Sequence, residues 1–324
     1  MAEGQDLSTH SYWLNEGLLR IAEPMQRSDG RVSISIEPSA LEHYMRIQSN
    51  LRSFELPSPL GEEGRPAALL AAVLSRRSSV GTRAVLRRTW LSQVESHLFF
   101  SGIPADGLQA TNEPDLITVP VNESYRNMGE ATRLMYQHIA AHSSEKFDFV
   151  LVADDDVYIR LGMSTKHIRK HGSDFYILGS FAHDSFPVRN KSDVNHFVSS
   201  NEYSSDEPYP VYPRGFAYII SMKLLVKLAG LSSAQPTTIP FGDVWLGIVI
   251  RESMSTLKLG ITLDDRIEKQ VSRNALCDSS DGVDPDVTSY SIIIHRLSPT
   301  QIECMWKLDS LFEEQVDMCS CIRT

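Results

Sequence analysis

Apolar and polar positions change their rhythm along this chain. Residues 67–74 form a continuous apolar run of strand length, and residues 82–94 carry a helical pattern. Residues 97–100 read as a short strand closing at Gly102-Ile-Pro104, and residues 116–119 as another. Residues 128–142 place Leu134, Met135, Ile139 and Ala140 at helical spacing, and residues 147–153 are again continuously apolar. Strand–helix alternation with short connections predicts an α/β domain, a mostly parallel sheet covered by helices. Such sheets bind ligands beyond the carboxyl ends of their strands.

Residues 1–64 lack this rhythm. Short patterned pieces (12–21, 32–36 and 41–47) alternate with breakers and end in the run Pro57-Ser-Pro59-Leu-Gly61-Glu-Glu-Gly64-Arg-Pro66. The expected organisation is a stem or accessory segment over 1–64, a principal domain over 65–310 and a C-terminal tail over 311–324.

Charge narrows the partners. With 31 Lys and Arg against 41 Asp and Glu, the chain carries a formal charge of −10. Nucleic-acid affinity rests on phosphate neutralisation by cationic side chains, so no nucleic-acid partner is expected. A small phosphorylated ligand remains compatible, since a local metal or a few arginines outweigh the global charge. No apolar run reaches the ~18 residues of a membrane span, and residues 1–20 have no signal-peptide pattern. The expectation is a soluble chain, or one whose anchor lies outside this sequence. The four cysteines (Cys277, Cys304, Cys319, Cys321) fit no zinc spacing; they read as loop or tail thiols, or as disulfides of an oxidising lumen. Two glycosylation sequons, Asn122-Glu-Ser124 and Asn190-Lys-Ser192, lean the same way.

The most informative stretch is Phe149-Val-Leu-Val-Ala-Asp154-Asp155-Asp156-Val157-Tyr158. An apolar strand delivers three adjacent carboxylates to its C-terminal end. Their mutual repulsion is relieved by a cation between them, and carboxylate with phosphate oxygen suits Mn²⁺ or Mg²⁺. A solvated acidic turn is the plain alternative. An aspartyl-nucleophile phosphatase using Asp154 and Asp156 is another, though that motif belongs on a first strand and three strands precede it here.

Further segments appear in order. They are Arg83-Ala-Val-Leu-Arg87-Arg-Thr-Trp90, Glu123-Ser-Tyr-Arg-Asn127, Tyr209-Pro-Val-Tyr-Pro-Arg-Gly-Phe-Ala-Tyr218, Phe241-Gly-Asp243-Val-Trp-Leu-Gly247 and Ile293-Ile-His295-Arg296. Together with the acidic triplet they resemble, from about residue 66 to 307, the β-1,3-glycosyltransferases of glycosyltransferase family 31, including β-1,3-galactosyltransferases and Fringe-like enzymes.

The resemblance implies a GT-A fold and an inverting hexosyltransferase. The donor would be a UDP-sugar carrying galactose or N-acetylglucosamine, the acceptor a glycan, glycoprotein or glycolipid, and the location the Golgi lumen behind an N-terminal anchor. It implies Asp154, Asp156 and His295 as metal ligands, with Asp154 and Asp155 also near the donor ribose. Asp243 would be the base that takes the acceptor proton. Arg83, Arg87 and Arg126 would contact the donor, and Tyr209, Tyr212 and Trp245 the acceptor. Local readings compete: His295 as a core histidine, Asp243 as a cap of a helix over 244–250, Arg83 and Arg87 as a basic surface helix, Tyr218 as core. Three positions depart from the family pattern. Pro213 stands for a cysteine, Gly242 for the glutamate before the base, and Gly215-Phe-Ala217 for Gly-x-Gly. They leave donor and acceptor open and fit a divergent branch. A glycan-binding or chaperone-like pseudoenzyme on the same scaffold is the competing class, disfavoured by survival of the acidic triplet, Asp243 and His295 together.

Overall fold

The structure, a computed structural model, describes residues 68–105, 113–162, 175–231, 238–277, 286–288, 290–311 and 318–323, and four short strands nearer the N-terminus. Contacts divide the chain into two units, Met1–Pro57 and Ser58–Thr324. In the first, β1 (Tyr12–Leu14) pairs antiparallel with β2 (Gly17–Leu19), and β3 (Met25–Gln26) with β4 (Val32–Ser33). The patterned piece over 41–47 lies outside the described residues.

The second unit begins with β5 (Leu69–Leu74), α1 (Val80–Arg88), β6 (Ser96–Ile103), β7 (Leu116–Asn122), α2 (Met128–His142), β8 (Phe149–Asp154) and β9 (Val157–Ile159). It continues through β10 (Tyr176–Ala182), β11 (Tyr212–Ser221), α3 (Met222–Leu231), α4 (Gly242–Leu257) and β12 (Thr262–Asp264). The last elements are β13 (Val271–Ser272), β14 (Ile293–His295) and α5 (Pro299–Leu311). The main sheet has seven strands in the order β12-β10-β11-β8-β5-β6-β7. Only β11 runs antiparallel to its neighbours. This is the expected mixed α/β architecture, mostly parallel and flanked by helices, of the GT-A kind.

The continuous apolar strands are central because both faces are covered. Ala71, Val73, Leu151 and Ala153 join one core cluster with Leu86 of α1 and Met305 of α5. Leu70, Ala72, Val150 and Val152 join the other, with Met135 of α2, Leu225 of α3 and Leu246 of α4. Each large apolar side chain buried this way contributes about 1.5–3 kcal/mol. Parallel register pairs Leu74 with Asp154, so the two strand ends reach the same sheet edge together.

The helix expected over 82–94 is shorter. It spans Val80–Arg88, is interrupted at Thr89 (φ −110°, ψ −126°), and resumes as a 3-10 turn over Trp90–Gln93. The break turns Trp90 inward, where its Nε1 donates 2.9 Å to the Val157 carbonyl immediately after the acidic turn. A second sheet, β13-β14-β9, completes this corner. There β14 pairs antiparallel with β9, and His295 faces Val157.

The C-terminal segment read from sequence as a tail returns to the core. Disulfides join Cys277 to Cys319 and Cys304 to Cys321, and Met318 and Cys321 are buried. Among the described residues no helix is long and apolar enough to cross a membrane.

Candidate functional site

The acidic triplet splits in two directions. Asp155 Oδ2 accepts 2.8 Å from the hydroxyl of Ser75, the residue that follows β5. Ser75 is in turn held by Arg83, whose Nη1 donates to Ser75 Oγ at 3.2 Å. Asp154 and Asp156 turn instead toward His295. Ligand atoms of these three side chains all lie within 4.8 Å of one another.

His295 is fixed for this position. Its Nδ1 lies 3.0 Å from the Arg273 carbonyl, so Nδ1 carries the proton and donates. Nε2 faces Asp156 Oδ1 at 3.3 Å. The ring stacks on Phe216 at 4.8 Å and 19°. Asp156 Oδ1 is shielded from water yet has no hydrogen-bond partner. A buried carboxylate oxygen without a partner is costly, and two carboxylates with an imidazole nitrogen are a donor set that suits Mn²⁺ and related divalent ions.

Asp243 stands across the same cleft. It lies in the first turn of α4, whose cap position is Phe241, so it is not the cap residue. Oδ1 accepts from the Val244 N–H at 2.8 Å and Oδ2 from the Gly215 N–H at 3.4 Å. The cleft is lined by Asp154, Asp243, Gly215, Tyr125, Tyr209 and Tyr212, among others. Burial raises the Asp154 pKa well above the usual carboxylate range, and the charges of Asp156, Asp155 and Asp243 raise it further. Burial also raises Asp155 and Asp243; the Ser75 hydrogen bond opposes the first shift, and the N–H groups of Val244 and Gly215 the second. The negative charges of neighbouring acids thus act on the buried Asp154, a field that favours a cation.

The expected donor arginines are engaged elsewhere. Arg83 is fully buried. It donates to both oxygens of Glu113, at 2.9 and 2.7 Å, and to the carbonyls of Arg76 and Arg77. Arg87 pairs with Glu113 and Asp115, each at 2.7 Å. Arg126 pairs with Glu202 and donates to the Phe197 carbonyl. Tyr209 and Tyr212 line the cleft; Trp245 does not. Trp245 is core, packed edge-on against Tyr136 with 5.5 Å between rings. Tyr218 is also buried, its hydroxyl 2.8 Å from that of Tyr136.

Comparison with known proteins fits this geometry. The galactosyltransferase family model matches residues 81–256, more than half of the chain. The chain belongs to the galactosyltransferase family. It is 23% identical over 273 residues to N-acetyllactosaminide beta-1,3-N-acetylglucosaminyltransferase 4 of Mus musculus, covering 79% of this chain and 74% of that protein. The Homo sapiens protein of the same name is 23% identical over 255 residues, covering 74% and 64%. Lactosylceramide 1,3-N-acetyl-beta-D-glucosaminyltransferase of Xenopus tropicalis is 24% identical over 189 residues, covering 51% and 49%. The aligned part thus ranges from about half to three quarters of these relatives' own lengths. Membership makes the chain a glycosyltransferase, whose family acts with a nucleotide-sugar donor, and it removes the aspartyl phosphatase reading.

Within this galactosyltransferase-family domain, sequence reasoning passed over Ser75, Phe216 and Thr132. Ser75 carried a readable signal, a hydroxyl at the end of an apolar strand. Phe216 fills the second residue of the altered Gly-x-Gly and supplies the face on which His295 stacks. Thr132 explains the glycine before Asp243: a Cβ at Gly242 would stand 2.1 Å from Thr132 Oγ1.

Proposed function

We propose that this enzyme is an inverting, metal-dependent hexosyltransferase. It moves galactose or N-acetylglucosamine from a UDP-sugar to a glycan hydroxyl, in β-1,3 linkage. The observation that carries this reading is the convergence of Asp154, Asp156 and His295, with Asp243 lining the same cleft as Asp154. Mn²⁺ or Mg²⁺ held by those three ligands would supply a Lewis acid that offsets the negative charge developing on the departing UDP.

The chain's own residues do the rest. Asp155, oriented through Ser75 and Arg83, faces the donor ribose from the edge of β5. Asp243 accepts the proton of the acceptor hydroxyl at Oδ1 or Oδ2. Its raised affinity for protons suits a general base, and the Val244 and Gly215 N–H groups hold it in place. Tyr209 and Tyr212 flank the acceptor side of the cleft. The low-dielectric surroundings strengthen each of these interactions.

Residues 65–310 are the catalytic domain of this reading and residues 1–64 its stem. Two disulfides and exposed asparagines in both sequons support a secretory, Golgi-type lumen. A glycoprotein or glycolipid is the acceptor.

The test is a donor panel with Mn²⁺, reading UDP release from UDP-galactose, UDP-N-acetylglucosamine and UDP-glucose with a galactose-terminated acceptor. One of the first two should dominate. Asp243→Asn should retain UDP binding and lose transfer by about 100-fold or more, the scale of general-base catalysis. Transfer by that variant at the wild-type rate would remove Asp243 from its role.

A further inference from the structure

The arginines that sequence assigned to the donor are committed to carboxylates, yet Arg214, next in sequence to the cleft residue Gly215, is not. Arg214 lies on β11 immediately before two residues that belong to opposite halves of the site. Its successor Gly215 donates to Asp243 Oδ2, and Phe216, two positions on, stacks on His295. The strand therefore sets Arg214 beside the residues that link the base to the Asp154–Asp156–His295 cluster. Among the described residues nothing bonds its guanidinium, and its Nε is shielded from water with no hydrogen-bond partner.

A planar guanidinium with unengaged donors is suited to phosphate oxygens, which it contacts in pairs. Its electrostatic reach agrees with this placement. Burial raises the Asp243 pKa, and the charge of Arg214, behind the Val244 and Gly215 N–H groups, opposes part of that rise. It also depresses Arg273, whose carbonyl fixes His295; burial is the larger cause there. Arg273 is paired with Glu268, so among the described residues Arg214 is the one of the two left to meet a metal-bound diphosphate.

We propose that Arg214 is a donor-positioning residue, binding the diphosphate of the nucleotide sugar beside the Asp154–Asp156–His295 cluster. The proposal rests on the functional reading above. It differs from the arginines that the family resemblance pointed to, because Arg214 sits in the segment where this chain departs from the family pattern. Arg83 then supports Ser75 and Asp155 from beneath, while Arg214 meets the ligand.

The test separates phosphate binding from a structural role. UDP binding is measured with Mn²⁺ present for wild type and Arg214→Ala, with uridine as the phosphate-free control and thermal unfolding as a check on folding. Arg214→Ala should weaken UDP by about 10- to 100-fold, the loss of one charged hydrogen-bonded pair. Uridine binding and the unfolding temperature should stay unchanged, and Arg214→Lys should recover part of the loss. Equal weakening of UDP and uridine, or no change in UDP, would overturn the proposal. Wild-type protein that binds no UDP would overturn the functional reading itself, and this inference with it.

Discussion

Single residues show how closely the cleft is built. Gly242 is the first residue of α4, and a side chain there would meet Thr132 of α2, a buried β-branched residue with little room to move. Its Cβ would come 2.1 Å from Thr132 Oγ1 and 3.0 Å from Thr132 Cβ. The departure from glutamate at this position is therefore coupled to Thr132, which lines the same cleft. Gly242→Ala should destabilise the protein by about 1–3 kcal/mol, the scale of overpacking. Pairing it with Thr132→Ala should recover part of that loss, visible as a coupling in a double-mutant cycle followed by chemical denaturation. Additive effects of the two changes would mean the contact is not what excludes a side chain.

Elements explain both what was legible in the sequence and what was not. The strand that presents Asp154 was readable because a parallel strand buried on both faces is apolar throughout, and its acidic end stands out against it. The partner of that end, His295, was expected only through the family resemblance and not from any local pattern. His295 reaches Asp156 only through the β14–β9 register, set by residues more than 130 positions apart. The end of α1 was missed because burial of Trp90, not helix propensity, decides where the helix stops. The setting of Arg83 was illegible for a similar reason: Glu113, thirty residues on, pairs with it out of reach of any local pattern. Two arginines hold Glu113 at a pKa of about 2, against an ordinary 4.5. A depressed carboxylate pKa means stability that is present above pH 4.5 and lost as pH falls from there toward 2. Glu113→Gln should cost about 3 kcal/mol, because it leaves Arg83 buried without its counter-charge. The variant should also lose less stability than wild type between pH 4.5 and 2, measured by denaturation across that window. A parallel pH dependence of the two proteins would contradict the pairing.

At the scale of the whole molecule, two covalent links close the side of the domain that carries His295. The pairs Cys277–Cys319 and Cys304–Cys321 close loops of 42 and 17 residues. In the chain-entropy view each contributes about 3–4 kcal/mol. Incubation with a thiol reductant should therefore lower the unfolding temperature markedly, and metal-dependent activity should fall with it, since α5 and the segment that follows brace the sheet bearing β14. An unfolding temperature indifferent to reductant would mean the links are not formed in the protein as made. Neither pairing was readable from spacing, because both depend on the C-terminal segment folding back onto α5.

The acidic turn remains the centre of the account, since the proposed cation would sit among Asp154, Asp156 and His295 and carry the donor's diphosphate. The most direct measurement is Mn²⁺ binding in the presence of UDP, followed through the paramagnetic signal of the free ion, for wild type and for Asp156→Ala and His295→Ala. Wild type should take up one equivalent of Mn²⁺, and each variant should bind it at least about tenfold more weakly. Wild-type protein that leaves Mn²⁺ free in the presence of UDP, or variants that bind it as wild type does, would contradict the account.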